Sequence, residues 1–243
     1  MPTFLSGAWG IISSICVNLI VAGLTAGLTA VWFNRRRLQI WLQSIVRYNK
    51  LIRVSAAYLF RIQVDGEYIL MPGKHIEQYQ PVGGVYKTFS SFDEKKSEWQ
   101  IQAEPGQRFY EQSDLRIKIK GKYLGKFLSW FESEKNREVT VQREIIEELI
   151  ETGILDYADL AQMEIEFLRR TKLPISHSVY FDADELHIFD IYELTLTAVT
   201  KQKILQAVGA GNLMKITENQ IRKQNLVIDG KSFSIGAHTE YIL

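Results

Sequence analysis

The chain has 243 residues with 29 basic and 28 acidic side chains, but residues 1–64 hold seven of the basic and none of the acidic ones. Residues 65–243 are therefore mildly acidic, which argues against a general nucleic-acid binder, because nonspecific binding to phosphates requires a clustered basic surface. The single cysteine, Cys16, excludes a disulfide framework or a cysteine metal cluster within one chain.

An uncharged run extends from Phe4 to Phe33 and is followed by Arg35, Arg36 and Arg37. It exceeds the roughly 20 residues that cross a bilayer and is too short for two crossings and a turn, so we predict one membrane-spanning anchor over residues 1–34. Because the positive charge follows the run, the pattern differs from that of a cleaved signal peptide. The positive-inside rule then predicts an outward N-terminus and a cytoplasmic C-terminal part.

The predicted anchor carries small and polar residues that a purely hydrophobic span does not need. Gly23 and Gly27 form a GxxxG pair that allows close helix approach, and Asn18 near the midpoint requires a polar partner. We therefore predict self-association within the membrane and a homo-oligomer. The alternative is that Ser and Thr bond their own backbone and glycine is simply tolerated.

Residues 35–53 follow the anchor and predict a basic amphipathic helix. The apolar residues of this segment share one side of the helix: Leu38, Trp41, Leu42, Ile45 and Tyr48. This pattern, with the basic residues at 35–53, indicates a segment that lies on anionic lipid headgroups or extends the anchor as a stalk.

Residues 54–243 are predicted to form one α+β domain with a mixed sheet. Strands are expected at 54–64, 67–71, 77–86, 163–171, 175–181 and 185–197, and helices at 139–152, 201–208 and 217–224. An Asp65-Gly66 turn joins the first two strands. Residues 89–138 have a polar, irregular pattern, which predicts an inserted flap.

The helix at 139–152 carries the most informative side chains. Glu144, Glu147 and Glu148 are spaced by three and four residues, so they project from one face, and Arg143 can pair with Glu147. Converging carboxylates repel one another unless cations intervene, and their oxygens suit Mg²⁺ or Mn²⁺ bound to phosphate. The alternative is a solvated charged face with ion pairs inside the helix.

The segment REIIEE at 143–148, with QPVGG at 80–84 upstream, resembles the signature of the Nudix hydrolase family. The resemblance implies an α/β/α domain that binds a diphosphate through a metal. In that family the glycine lies much closer to the arginine, whereas Gly84 precedes Arg143 by 59 residues, which implies an insertion in the Nudix box at about 88–137. The family's additional glutamate falls on Lys135 and its later glycine on Ile150, and both departures favour a sensor over an active hydrolase.

A membrane anchor joined to a divided box is similar to the SMODS-associated Nudix proteins of bacterial cyclic-oligonucleotide antiphage signalling (CBASS). The resemblance implies a nucleotidyltransferase partner, a cyclic nucleotide ligand, and anchors that oligomerise and breach the inner membrane, which kills the cell. It also places four candidate ligand residues near the site: Arg61, Gln80, Gly84 and Lys135.

Two other classes of function stay open at the level of the sequence. The first is a membrane-tethered hydrolase that cleaves a nucleoside diphosphate derivative with Mg²⁺ held by Glu144, Glu147 and Glu148. The second is a scaffold whose domain binds a protein partner. The histidines lack metal-ligand spacing, so we interpret His177, His187 and His238 as ordinary strand or loop residues.

Overall fold

The computed structural model describes residues 21, 22, 25, 29, 32, 34–74, 76–103, 113–228 and 230–243. The helices are α1 (34–46), α2 (Asp93–Glu98), α3 (Gly121–Glu132), α4 (Gln142–Ile145, continued by a π-helical turn Ile146–Ile150), α5 (Tyr157–Gln162), α6 (Ala198–Gly209) and α7 (Glu218–Lys223). The strands are β1 (Leu51–Val64), β2 (Glu67–Pro72), β3 (Gln78–Pro81), β4 (Gly83–Val85), β5 (Gln102–Ala103), β6 (Arg116–Lys120), β7 (Glu164–Lys172), β8 (Ser176–Ser178), β9 (Ala183–Thr195), β10 (Met214–Ile216), β11 (Asn225–Ile228) and β12 (Lys231–Ile235). Short 3₁₀ helices lie at Ser90–Phe92 and at Ala237–Ile242, the C-terminal 3₁₀ helix.

Strand β1 is the centre of the sheet. One of its edges pairs in parallel with β9, and the other pairs antiparallel with β6 and then β4. The end of β1 turns at Asp65-Gly66 into β2, which continues to β3, β12 and β11. Because β1 has neighbours on both edges, nearly all of its side chains are buried, as expected of a central strand. The predicted mixed α+β fold is confirmed.

Two layers of side chains alternate along β1 and β9, because successive residues of a strand point to opposite faces. Tyr58 and Phe60 face the side that carries α3 and α4, where Tyr58 contacts Tyr86 at a ring distance of 4.8 Å. Arg53 and Phe189 face the opposite side, which the C-terminal 3₁₀ helix covers in part. The two faces of the sheet therefore differ in the side chains that they present.

The described residues between β4 and α4 form several regular elements, so the prediction of an irregular flap is wrong for them. They contribute β5 and β6 to the sheet edge, and α3 packs an aromatic face on the core. Phe92 stacks on Trp130 at 3.9 Å, and Phe131 contacts Tyr86 at 5.5 Å. Gly125 lies in the interior of α3, where glycine is a weak helix former, so the sequence pattern did not indicate this helix.

Helix α1 is docked on the domain through a side that the sequence pattern did not select. Ile40 is only 1% exposed and Ser44 only 6%, whereas Trp41 is 53% exposed. The Gln43 amide bonds the backbone of Ile175 in both directions, at 3.2 and 2.8 Å. The predicted apolar side thus faces outward, while Ile40, Gln43 and Ser44 lie on the side that contacts the sheet domain.

Two of the basic residues assigned to lipid headgroups bond carboxylates of the domain instead. Arg47 pairs with Asp184 at 2.8 Å, and Arg53 on β1 pairs with Glu185 while only 4% exposed. The cations still exposed on α1 are Arg35, Arg36 and Arg37.

The helices within the described part of the chain include none that is long and apolar enough to cross a bilayer. Most of the predicted anchor at residues 1–34 lies outside the described residues, and so do Asn18, Gly23 and Gly27.

Candidate functional site

Helix α4 and its π-helical continuation carry the acidic cluster. Ile145 and Leu149 anchor this element by burying their side chains in the core, at 0% and 1% exposure. Glu144 and Glu148 are consequently drawn down to the domain surface, at 6% and 8% exposure, while Glu147 stays half-exposed. The three carboxylates are on one side of the helix, as their spacing indicates.

Arg143 is the hub of this cluster. Its guanidinium donates to Glu144 at 2.6 Å, to Glu147 at 3.0 Å and to both oxygens of Glu138 at 2.9 and 3.0 Å. It also reaches the Val85 carbonyl at 3.0 Å, which ties the helix to β4. Burial alone would lower the pKa of Arg143, but these carboxylates hold it above its ordinary value, so Arg143 is a permanent cation here.

The Glu144 carboxylate packs directly against the backbone of Gly84. A Cβ at position 84 would come within 2.0 Å of the Glu144 carboxyl carbon, so only glycine lets this carboxylate approach β4. Burial, helped by the neighbouring charge of Glu147 and opposed by Arg143, raises the pKa of Glu144 to about 7. Gly84 was predicted as a ligand residue, and the structure gives it this packing role as well.

Glu148 bonds a cation from another part of the chain. Lys74, in the turn after β2, donates to its Oε1 at 2.7 Å. Its Oε2 is buried and has no hydrogen-bond partner among the described residues. This orphaned oxygen is the one feature of the cluster that indicates room for a cation.

The cluster as arranged does not fit a resident divalent metal. Arg143 and Lys74 hold oxygens of all three predicted ligands, Glu144, Glu147 and Glu148. Over the described residues, no group of three or more His, Cys, Asp or Glu side chains is placed to hold an ion. A metal would have to displace Lys74 or Arg143, so the protein's own cations stand where Mg²⁺ or Mn²⁺ was expected.

Glu138 belongs to this cluster, although the sequence pattern did not indicate it. It is 8% exposed, accepts two bonds from Arg143 and one from the Lys87 backbone N–H. Lys135, which was aligned with the family's additional glutamate, is exposed and lines a separate shallow groove beside α3. The signal for Glu138 was its position five residues before Arg143 in a segment interpreted as irregular.

A cavity of about 400 Å³ opens above the acidic cluster. Its walls include Gln80 and Gly84, two of the predicted ligand residues, together with Lys74, Lys87 and Arg116. Arg116 bonds Asp114 at 3.2 Å. We call this space the acidic-helix cavity; its walls carry four cations as well as four carboxylates.

A second cavity of about 440 Å³ adjoins the first along β4, and we call it the platform cavity. The two share six lining residues: Gln80, Gly83, Gly84, Val85, Arg116 and His238. Each volume lies within the roughly 300–1,000 Å³ range of small-molecule sites. The two cavities together form one composite cleft along β4, where Gly83 and Gly84 line both.

The remaining predicted residues are distributed elsewhere. Arg61 forms a two-pronged pair with Glu193 at 2.6 and 3.2 Å and is outside both cavities. His187 and His238 come together in the platform cavity although they are distant in sequence. Burial lowers the pKa of His238 to about 4, so this ring is neutral at physiological pH.

Comparison with known proteins assigns most of the chain to a family. A family model described as SMODS-associated NUDIX domain matches residues 51–243, which include β1, the acidic helix and the C-terminal 3₁₀ helix. No curated protein matches the chain.

Proposed function

Because the chain belongs to the SMODS-associated NUDIX family, we propose that its composite cleft binds a cyclic oligonucleotide and that this binding triggers a membrane effector. The family is associated with CBASS-type systems, in which a nucleotidyltransferase supplies the ligand. The proposed protein is a sensor that recognises the phosphates and bases of a second messenger without cleaving them.

The observation that carries this proposal is the internal neutralisation of the acidic cluster. Arg143 bonds Glu144 and Glu147, and Lys74 bonds Glu148, so the carboxylates that would hold a catalytic metal are already paired. A hydrolase of diphosphates depends on metal to polarise phosphate and activate water. A sensor needs only a cleft of suitable shape and charge, and this cleft adds Lys87 and Arg116 to its walls.

The proposed output is clustering of membrane anchors at residues 1–34 in the bacterial inner membrane, with the N-terminus outside and the domain in the cytoplasm. Its support is the uncharged run followed by Arg35, Arg36 and Arg37, and the Gly23 and Gly27 pair. A ligand that prefers the clustered form by about 4 kcal/mol shifts the equilibrium roughly a thousandfold. Disruption of the membrane and cell death would follow from the altered packing of the anchors.

Ligand binding is tested on the full chain in lipid nanodiscs, because α1 packs on the domain and a truncated form would lose Ile40 and Arg47. Calorimetry with a panel of cyclic di- and trinucleotides should yield one that binds. Arg116→Gln should weaken that binding about tenfold through the loss of a charge-assisted contact. The matched control Lys126→Gln removes an exposed cation that is far from the cleft and should have no effect.

The effector step is tested by dye release from liposomes that contain the full chain. The bound nucleotide should start the release, and the double change Gly23→Leu, Gly27→Leu should abolish it while leaving nucleotide affinity unchanged. Release that is independent of the nucleotide would refute the coupling. A nucleotidyltransferase gene beside the gene for this chain is the expected genomic context.

The second candidate function is a hydrolase of nucleoside diphosphate derivatives, and the orphaned Oε2 of Glu148 favours it. That oxygen could hold Mg²⁺ if Lys74 moved away. Incubation of the full chain with Mg²⁺ and a diphosphate panel separates the two functions. Turnover that Glu148→Gln abolishes would establish the hydrolase, and nucleotide binding without turnover would establish the sensor.

A further inference from the structure

The platform cavity differs chemically from the acidic-helix cavity. Four of its rings come from β9 and the C-terminal 3₁₀ helix and meet at Phe189, which is 6% exposed. The rings are His187, Phe189, His238 and Tyr241. None of them belongs to the acidic helix or to the segments that carry the Nudix resemblance.

The four rings are nearly parallel. The His187 ring is 5.5 Å from Phe189 with 10° between their planes, Tyr241 is 5.4 Å away at 25°, and His238 is 6.2 Å away at 29°. Offset parallel packing is an arrangement that aromatic rings prefer, and at the edges of this cluster His187 and Tyr241 are partly exposed while the central Phe189 is buried. The cluster is therefore suited to a planar heterocycle rather than to a sugar or a phosphate.

Charge in this cavity is balanced in a way that also favours a neutral guest. Arg53 lies 3.7 Å over the Phe181 ring and pairs with buried Glu185, so its charge is compensated within the wall. Burial keeps His238 neutral, as its lowered pKa indicates. Arg116, on the wall shared with the acidic-helix cavity, places positive charge at the boundary between the two spaces.

The edge of the platform offers hydrogen bonding. The Gln80 side chain lines both cavities, and its amide makes no hydrogen bond within the part of the chain that the structure describes. An amide presents a donor and an acceptor side by side, which is the pattern that matches the edge of a nucleobase. A planar guest on the rings would therefore meet a group able to read its edge.

We propose that the platform cavity is a nucleobase subsite, in which a base stacks on the partly exposed Tyr241 ring, itself packed on Phe189, while its phosphate lies toward Arg116. This inference rests on the proposed nucleotide-sensing function and adds the residues that recognise the base. It predicts that affinity depends on the heterocycle and not only on the phosphate.

The test uses the full chain in nanodiscs with 2-aminopurine riboside monophosphate as the probe, because the fluorescence of 2-aminopurine is quenched when it stacks. The wild type should quench the probe. Tyr241→Ala should weaken its binding by about 5- to 150-fold, the range expected for loss of one base–aromatic contact. Tyr241→Phe keeps the ring and should bind like the wild type.

Two further variants keep the test decisive. Tyr157→Ala removes an exposed tyrosine on α5, remote from the cleft, and should change nothing. Gln80→Leu leaves the ring platform intact and should weaken the probe about fivefold or more through the lost amide bonds, so it remains informative if Tyr241→Ala unfolds. Ribose 5-phosphate, which lacks a base, should bind the wild type and Tyr241→Ala equally.

The outcomes separate this inference from the function on which it rests. A cyclic oligonucleotide that binds the wild type and folded Tyr241→Ala with equal affinity would overturn the base subsite and leave the sensor intact. Absence of quenching by the wild type would also overturn the subsite. Failure of every cyclic oligonucleotide to bind would overturn the sensor itself.

Discussion

Replacing Glu185 by glutamine tests the ion pair beneath the platform cavity. Glu185 on β9 is 6% exposed and bonds Arg53 at 2.5 Å on the neighbouring strand. Burial alone would raise its pKa, but the neighbouring His187 and Ser178 side chains and the charge of Arg53 outweigh burial and lower the pKa to about 2. Glutamine keeps the shape of the side chain and removes only the charge.

The size of the effect follows from that pKa. The difference between the ordinary value of 4.5 and about 2 corresponds to about 3 kcal/mol of folding free energy at about 1.4 kcal/mol per pKa unit. A lowered carboxyl pKa stabilises the fold above pH 4.5, and that stabilisation is lost as the pH falls through 2. Loss of one partner from a buried pair costs about 3–5 kcal/mol by a separate argument, so we expect Glu185→Gln to cost about 3 kcal/mol at pH 7.

The assay is urea unfolding of the full chain in detergent, followed by tryptophan fluorescence, at a series of pH values from 7 down to 2.5. The cost of Glu185→Gln should shrink steadily below pH 4.5. The matched control Glu98→Gln breaks an exposed pair with Lys126, at 56% and 62% side-chain exposure, and should cost less than about 0.5 kcal/mol. A cost for Glu185→Gln as small as the control, or one independent of pH, would refute the reasoning.

Two further changes probe the acidic cluster. Gly84→Ala places a Cβ 2.0 Å from the Glu144 carboxyl carbon, so it should lower the unfolding free energy by about 1–3 kcal/mol and weaken nucleotide binding. The control Gly125→Ala has nothing within 4 Å of the new Cβ and should do neither. Equal melting temperatures of the two variants would contradict this prediction. Lys74→Met removes the cation that bonds buried Glu148, so Mg²⁺ should raise the melting temperature of this variant but not that of the wild type. An equal response of both proteins to Mg²⁺ would contradict the inference that Lys74 keeps a metal ion out of the cluster.

The strand pattern of the domain was readable because burial and turn chemistry agree there. The apolar stretch of β1 and the Asp65-Gly66 turn predicted the hairpin, and the pairing of Val64 with Glu67 confirms it. Strands β10 to β12 were missed because they are three to five residues long and take their order from pairing with β2 and β3. Such pairing is a tertiary fact that local periodicity does not encode.

The candidate site was readable only in part for a related reason. The spacing of Glu144, Glu147 and Glu148 indicated one helical face, which the structure has. Their cations come from Arg143 within the helix and from Lys74 at a distance of 74 residues, and the second is invisible to spacing. Glu138 was hidden because a fixed count along a family pattern selected Lys135, whereas the folded chain selects the carboxylate that reaches the guanidinium.

Helix α1 is held firmly on the sheet domain at the point where the preceding segment joins it. Gln43 bonds the backbone of Ile175 just before β8, and Arg47, in the turn at 47–50 that joins α1 to β1, pairs with Asp184 on β9, the strand that carries two of the platform rings. A rotation of the chain at residue 34 would therefore be transmitted through α1 to the sheet. Two such domains held together by one guest would therefore dictate the angle at which their preceding segments cross, and not merely their distance.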